Sequence, residues 1–287
     1  MEIPNIYFPH LGLSFHISSE AFTIFNITIY WYGIIITAGF VLGTLLASYI
    51  AKKEGVNQDV ITDFVLYDIL FAILGARIYF VAFRWQEYKG NLGDIFNIRQ
   101  GGLAIYGGII ASVIVALIYT RIRKVQIFKF ADILTYGLIL GQAIGRYGNF
   151  TNKEAFGGNA NNLFSMAILY EEAKPATTGG LLNIVQFPQF GMAQYIQVHP
   201  TFFYESTWNF ALLILLLFYR KHKKCEGEIF FLYLIGYGIG RFWIEGLRTD
   251  QLLLPYIQVP ASQCIAILSA IMGIIGIIMC RNNVRNK

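Results

Sequence analysis

The sequence predicts an all-α polytopic membrane protein. It expects seven transmembrane helices, with the N-terminus outside, the C-terminus cytoplasmic, and an outer insertion between helices 4 and 5. Three observations predict this. Of 287 residues, 56% are hydrophobic and 14% charged, against about 25% charge in a soluble domain. Seven apolar runs divide the chain, most of them near the ~20 residues that cross ~30 Å of hydrocarbon. Lys and Arg collect on one side of those runs, as cytoplasmic loops require. The +5 net charge and pI near 9.0 therefore belong to membrane topology and do not point to nucleic acid.

Residues 1–23 mix polar and aromatic side chains, carry His10 and His16, and read as an arm on the outer surface. Region 24–150 holds four spans, roughly Phe25–Ile50, Ile61–Phe83, Gly102–Tyr119 and Phe130–Phe150. Region 151–199 is too polar to span and reads as an outer loop or head. Its stretch 159–197 exceeds the ~15 residues beyond which structureless loops become uncommon, so it is expected to be a domain or lid over the site. Region 200–280 holds three further spans, about Pro200–Tyr219, Glu228–Leu247 and Ala261–Met279, and 281–287 is a cytoplasmic tail. The inner connections carry thirteen Lys and Arg against six outside, with Arg77, Arg146 and Arg241 left within spans. The first cation is Lys52, so no basic leader precedes the first span and no secretory signal peptide is expected. Cys225, Cys264 and Cys280 have neither metal nor disulfide spacing and are expected to be structural or incidental.

The chain is organised around residues 141–158, GQAIGRYGNFTNKEAFGG. An arginine inside a span is costly, so it faces the protein interior or a cavity and marks a functional site. Arg146 stands there with Asn149, Asn152 and Glu154 among glycines that permit close approach. Guanidinium, amides and backbone N–H groups suit a phosphate. The competing reading is a helix end with a snorkelling arginine and a glycine cap.

Other spans place polar groups at similar depth. At 1.5 Å per residue, Tyr32, Arg241 and Glu245 fall within about 11 Å of the outer ends of their spans, and Tyr106, Glu205, Arg77 and Arg146 are comparably shallow. Asp63, Asp68, Asp132 and Glu228 lie toward the inner face, where interfacial and capping roles suffice. Arg241, Glu245 and Arg248 share one helix face at i, i+4 and i+7. A self-satisfied Arg241–Glu245 pair is one reading. Three buried guanidiniums counted against too few carboxylates favour the other, in which an anion, a phospholipid head group, is the missing partner. His199, before Pro200, is either a proton acceptor or an ordinary loop histidine. Glu205 is either a base or the orienter of an arginine.

The segments WYG, GARIYF, GGLAIYGG, GRYGNFTNKEAFG, HPTFFYES and YGIGRFWIEGLR, in that order, resemble the prolipoprotein diacylglyceryl transferase family over nearly the whole chain. The string G-R-x-G-N-F-x-N-x-E-x-x-G is close to diagnostic. The resemblance implies transfer of the diacylglyceryl group of phosphatidylglycerol to the lipobox cysteine of a prolipoprotein signal peptide, with glycerol phosphate leaving, at the outer leaflet of a bacterial plasma membrane. It implies that Arg146, Asn149, Glu154 and Gly157 match the signature, Arg241 and Glu245 the sixth-span site, and Tyr32 the first-span tyrosine. Tyr106 stands where many members have histidine, which puts any histidine base there in doubt. Arg146 and Arg241 are expected to clamp the phosphate, with Arg77 as a third donor. Asn149 would orient an oxygen, Glu245 would hold Arg241, and Tyr106 or His199 would relay the thiol proton. No metal or organic cofactor and no nucleic acid is expected. The bilayer, its phosphatidylglycerol and the prolipoprotein are the partners. A carrier or channel for an anionic solute or lipid also wants intramembrane arginines but usually shows internal repeats, and none is evident. A seven-helix sensor explains the span count but not the phosphate-suited string.

Overall fold

The computed structural model describes residues 3–98, 101–173, 182–254 and 257–285. Arg99, Lys174 and Lys287 of the charge tally, and part of the 159–197 insertion, lie outside the described residues. Strands β1 (Ile6–Phe8), β2 (Leu13–Phe15), β3 (Glu20–Ile24) and β4 (Ile27–Tyr30) precede helix α1 (Trp31–Lys53). Helices α2 (Gln58–Phe83), α3 (Trp85–Tyr88), α4 (Ile105–Ile122) and α5 (Ile127–Asn152) follow. Next come β5 (Met166–Leu169), β6 (Ile184–Gln186), β7 (Gln194–Val198), α6 (Thr201–Tyr219), α7 (Glu228–Leu247) and α8 (Ala261–Arg285). Among the described residues, helices α1, α2, α4, α5, α6 and α8 are the six long and apolar enough to cross a membrane. Helix α7 has 20 residues but carries Glu228, Arg241 and Glu245. The chain is a mostly helical, multi-pass membrane protein. It falls into two compact units, Met1–Gly43 with Thr135–Lys287, and Thr44–Leu134.

The all-α expectation needs correction in the first unit. Strands form an antiparallel sheet in the order β2-β1-β5-β7-β6, with a separate β3-β4 hairpin. Ile6, Ile168 and Ile196 sit side by side across the three central strands. They bury with Met166, Val198, Phe156 and Phe202 in one core. Phe202 is in the first turn of α6, and its ring stacks on Phe150 of α5 at 4.5 Å, so the sheet is bolted to the ends of two helices. The arm is part of this domain. Buried Lys153 donates to the Ile17 carbonyl at 2.7 Å and pairs with Glu172 at 2.8 Å, which Asn5 also reaches at 2.9 Å.

The first helix begins at Trp31 rather than near Phe25. Phe25 and Asn26 both have positive φ, 47° and 60°. That is the two-residue mirror-image turn whose twist suits a hairpin. Apolarity alone did not distinguish this strand from the helix that follows it.

Helix α5 carries Gly137, Gly141, Gly145 and Gly148 at four-, four- and three-residue spacing, one face of a helix. That face meets α1: a Cβ on Gly43 would stand 2.5 Å from the Gly137 carbonyl oxygen, and one on Gly148 would stand 2.9 Å from the Tyr32 ring. These glycines serve helix contact, as small residues do where helix backbones approach within a membrane. At the other end of this unit Glu228 is fully buried and accepts from Tyr219, the Lys224 amide and Arg281. Cys225 and Cys280 are joined as a disulfide, contrary to the sequence expectation. Their separation of 55 residues matches no motif, and the bond follows from the start of α7 meeting the end of α8.

In the second unit α2 packs on α4 through Gly75 and Gly107, whose backbones touch. Phe64, Tyr119 and Phe130 form an aromatic cluster. Asp63 pairs with Arg123, in keeping with an interfacial role.

Candidate functional site

Helices α5, α6 and α7 bring one carboxylate between two guanidiniums. Arg146 Nη2 lies 2.7 Å from Glu205 Oε1, and Arg241 Nη1 donates to Glu205 Oε2 at 3.2 Å. Arg241 Nη2 lies 2.6 Å from Glu245 Oε2, one turn along α7, and Arg248 Nε approaches the same oxygen at 3.9 Å. Arg248 then holds Asp250 with two hydrogen bonds, 2.8 and 2.6 Å. Glu205 Oε1 and Glu245 Oε2 are buried without an aligned hydrogen bond among the described residues, so their closest contacts are ion pairs. Burial alone would lift the Asp250 carboxyl, but the hydrogen bonds and charge of Arg248 hold it below its ordinary value.

The helix register explains the convergence. Ser206 Oγ donates to the Ala143 carbonyl at 2.8 Å, turning that side of α6 toward α5. Trp208 Nε1 donates to the Gly236 carbonyl at 2.9 Å, turning the next side toward α7. Glu205 lies on the same stretch of α6 and reaches both neighbours. The signature adds a second row: Arg146 Nη1 donates to Asn149 Oδ1 at 3.3 Å. Asn149 and Asn152 then donate to Glu154 Oε1 at 3.3 and 3.1 Å.

The cluster does not carry the positive excess expected from the sequence. Arg146, Arg241 and Arg248 face Glu205, Glu245 and Asp250, so this cluster is balanced and not in positive excess. Arg77, counted with it from depth, lies in the other unit, where its guanidinium is caged by carbonyls. Nε donates to Ile95, Nη1 to Gly101 and Gly102, and Nη2 to Asp94 and Asn97. Every N–H of the fork is used, so Arg77 holds the turn before α4 and is not a free phosphate donor. What points to an anion instead is the layering. The side chains of Arg146 and Arg241 are 24% and 17% exposed, whereas Glu205 and Glu245 are each 4% exposed. Carboxylates form the more buried floor and guanidiniums the more exposed layer, an order that leaves donors where a charge could be met.

Gly157 does not offer its amide to a ligand, because the amide donates to the His199 carbonyl at 2.9 Å. A Cβ there would stand 2.7 Å from His199 Cβ and 2.9 Å from the Leu247 oxygen. The glycine thus lets the loop after α5 pass between the start of α6 and the end of α7. Gly157→Ala is expected to cost about 1–3 kcal/mol through overpacking, read as a lower melting temperature of the purified protein.

His199 is half-buried, with Nδ1 facing the Tyr204 hydroxyl and Asn162 Nδ2, both at 3.4 Å. Burial pushes its pKa below the ordinary value of 6.5. The unfolded chain therefore takes up this proton first, and stability is expected to fall as pH drops below ~6.5 toward the depressed folded value. His199→Gln should remove that part of the pH dependence of thermal unfolding. Tyr32 opens α1 against Gly148, and Tyr106 lies in the first turn of α4, 37% exposed.

Several polar residues escaped the sequence reading. Asp250 is two residues from Arg248, a spacing that signals a turn pair. Gln142 hydrogen-bonds Tyr233 at 2.9 Å. Asn209, one turn along α6 from Glu205, is fully buried with no hydrogen-bond partner among the described residues. An amide inside an apolar run was the available signal for both Gln142 and Asn209.

Comparison with known proteins places this geometry in context. The family described as prolipoprotein diacylglyceryl transferase matches residues 19–279. The phosphatidylglycerol–prolipoprotein diacylglyceryl transferase of Clostridioides difficile (strain 630) is 42% identical over 255 residues, covering 89% of this chain and 92% of that protein. Proteins of the same name from Bacillus cytotoxicus and Bacillus cereus (strain B4264) are 42% and 44% identical over 257 residues, each alignment covering 88% of both chains.

Proposed function

Since the chain belongs to the prolipoprotein diacylglyceryl transferase family, we propose how its own residues carry that family's reaction. The protein is a transferase that moves the diacylglyceryl group of phosphatidylglycerol onto a prolipoprotein. The acceptor is the thiol of a lipobox cysteine in the signal peptide. Its sulfur attacks the glyceryl carbon bearing the phosphate. The S–C bond forms as the C–O bond breaks, glycerol phosphate leaves, and the thiol proton passes to a base or to water. Charge grows on the departing phosphate, and Arg146 and Arg241 stabilise it. Glu205 and Glu245 orient the two guanidiniums, while Asn149, held by Glu154, steadies Arg146. His199 relays the thiol proton, supported by a depressed pKa that keeps it neutral near pH 7. Tyr32 lines the approach. A thiol of pKa near 8.5 is a few per cent thiolate at pH 7, so a weak relay suffices.

The reading extends to topology. Helix α7 is the seventh span, supported by the pairing of Glu228, Arg241 and Glu245 within the protein, which lowers the cost of their burial in hydrocarbon. The Lys/Arg distribution supports an outside N-terminus, a cytoplasmic C-terminus and a sheet domain on the outer face of the bacterial plasma membrane.

The observation that carries the mechanism is the sharing of Glu205 by two arginines from different helices. The test is mass spectrometry of a lipobox peptide incubated with the protein and phosphatidylglycerol. A mass gain of one diacylglyceryl unit on cysteine is expected; solute flux without modification would contradict it.

A further inference from the structure

We infer that the cavity between the β3–β4 hairpin, the start of α1 and the end of α5 seats the acceptor peptide, as an extended and uncharged segment around its cysteine. This rests on the transfer reading above and names the second substrate's place. The cavity has a volume of about 640 Å³, within the ~300–1,000 Å³ of ligand clefts. Ser19 just before the hairpin, Thr28 and Tyr30 within it, Tyr32 and Gly33 of α1, and Asn152 of α5 wall it. None of these side chains is charged, so a phosphate would find no counter-ion. Peptide N–H and C=O groups would instead meet hydroxyls and an amide, and small apolar side chains would meet two tyrosine rings.

Position supports the same occupant. Asn152 shares Glu154 Oε1 with Asn149, and Asn149 accepts from Arg146. One wall of the cavity is thus joined by three hydrogen bonds to the guanidinium assigned to the phosphate. A thiol delivered here would enter next to the hydrogen-bonded row that ends at Arg146. The hairpin offers a further means of binding. Strand β4 pairs only with β3 among the described residues, and its other edge presents main-chain donors and acceptors to which an extended peptide can add as a strand. A two-stranded hairpin alone is marginal in water, and a third strand would stabilise it.

The test uses full-length protein in phosphatidylglycerol nanodiscs and a lipobox peptide with a diazirine side chain beside its cysteine. After irradiation, adducts are expected on residues 28–33 and Asn152. In steady-state assays Thr28→Trp should raise the peptide KM by about tenfold while the phosphatidylglycerol KM does not follow. Wild-type transfer with adducts confined to other segments overturns the inference alone. A rise in the lipid KM instead of the peptide KM overturns it too, assigning the cavity to lipid. Absence of transfer by the wild type overturns the parent reading and this one with it. If Thr28→Trp fails to fold, the adduct map of the wild type decides.

Discussion

Arg241→Gln is expected to lower kcat/KM for diacylglyceryl transfer by at least about a hundredfold while leaving the protein folded. Removing one preorganised donor to a developing charge typically costs ~10²–10³ in rate. Folding should survive because neither carboxylate is stranded. Glu205 keeps Arg146 at 2.7 Å, and Glu245 keeps Arg248 at 3.9 Å. Arg241→Lys should recover little, since an ammonium is a point charge and cannot reproduce the fork that now spans two carboxylates on two helices. The check is turnover of a lipobox peptide alongside a melting curve for each variant. Near wild-type turnover by the glutamine variant would remove Arg241 from the chemistry.

Glu205→Ala is expected to do broader damage. Glu205 is buried and is the one carboxylate among the described residues that both Arg146 and Arg241 contact. Its loss removes the carboxylate that Arg146 pairs with and one of the two that Arg241 pairs with. Breaking a buried ion pair from one side costs about 3–5 kcal/mol, so a marked fall in melting temperature and loss of transfer should appear together. Glu205→Gln keeps the shape and one acceptor, and should recover more stability than activity. An unchanged melting temperature for Glu205→Ala would mean that the floor beneath the guanidiniums is not structural.

How far the sequence led depended on whether the signal was local. Helix α7, Glu228–Leu247, agrees with the run expected at about those residues, because that apolar run has clear ends. Arg146, Arg241 and Glu205 were legible as one site because charges in spans at equal depth have few ways to be satisfied other than by meeting. Depth alone failed for Arg77. Residues at one level of a membrane can still face different surroundings, and five carbonyls near the turn before α4 satisfied it locally. The sheet was hidden because its strands are only three to five residues long and its β1–β5 pairing joins positions more than 150 apart, as Ile6 with Ile168. Gly157 looked like a place for a ligand to approach, but the close neighbours are His199 and Leu247. Asp250 was overlooked because it lies beyond the span, although it completes the charge balance of the cluster.

Arg146 and Arg241 are proposed to grip one phosphate together. The most direct test is a structure of the protein with phosphatidylglycerol bound. Phosphate oxygens are expected within about 3.2 Å of a guanidinium nitrogen on each arginine, with Glu205 still bridging them. A phosphate held by other side chains, or by one of these arginines alone, would contradict it.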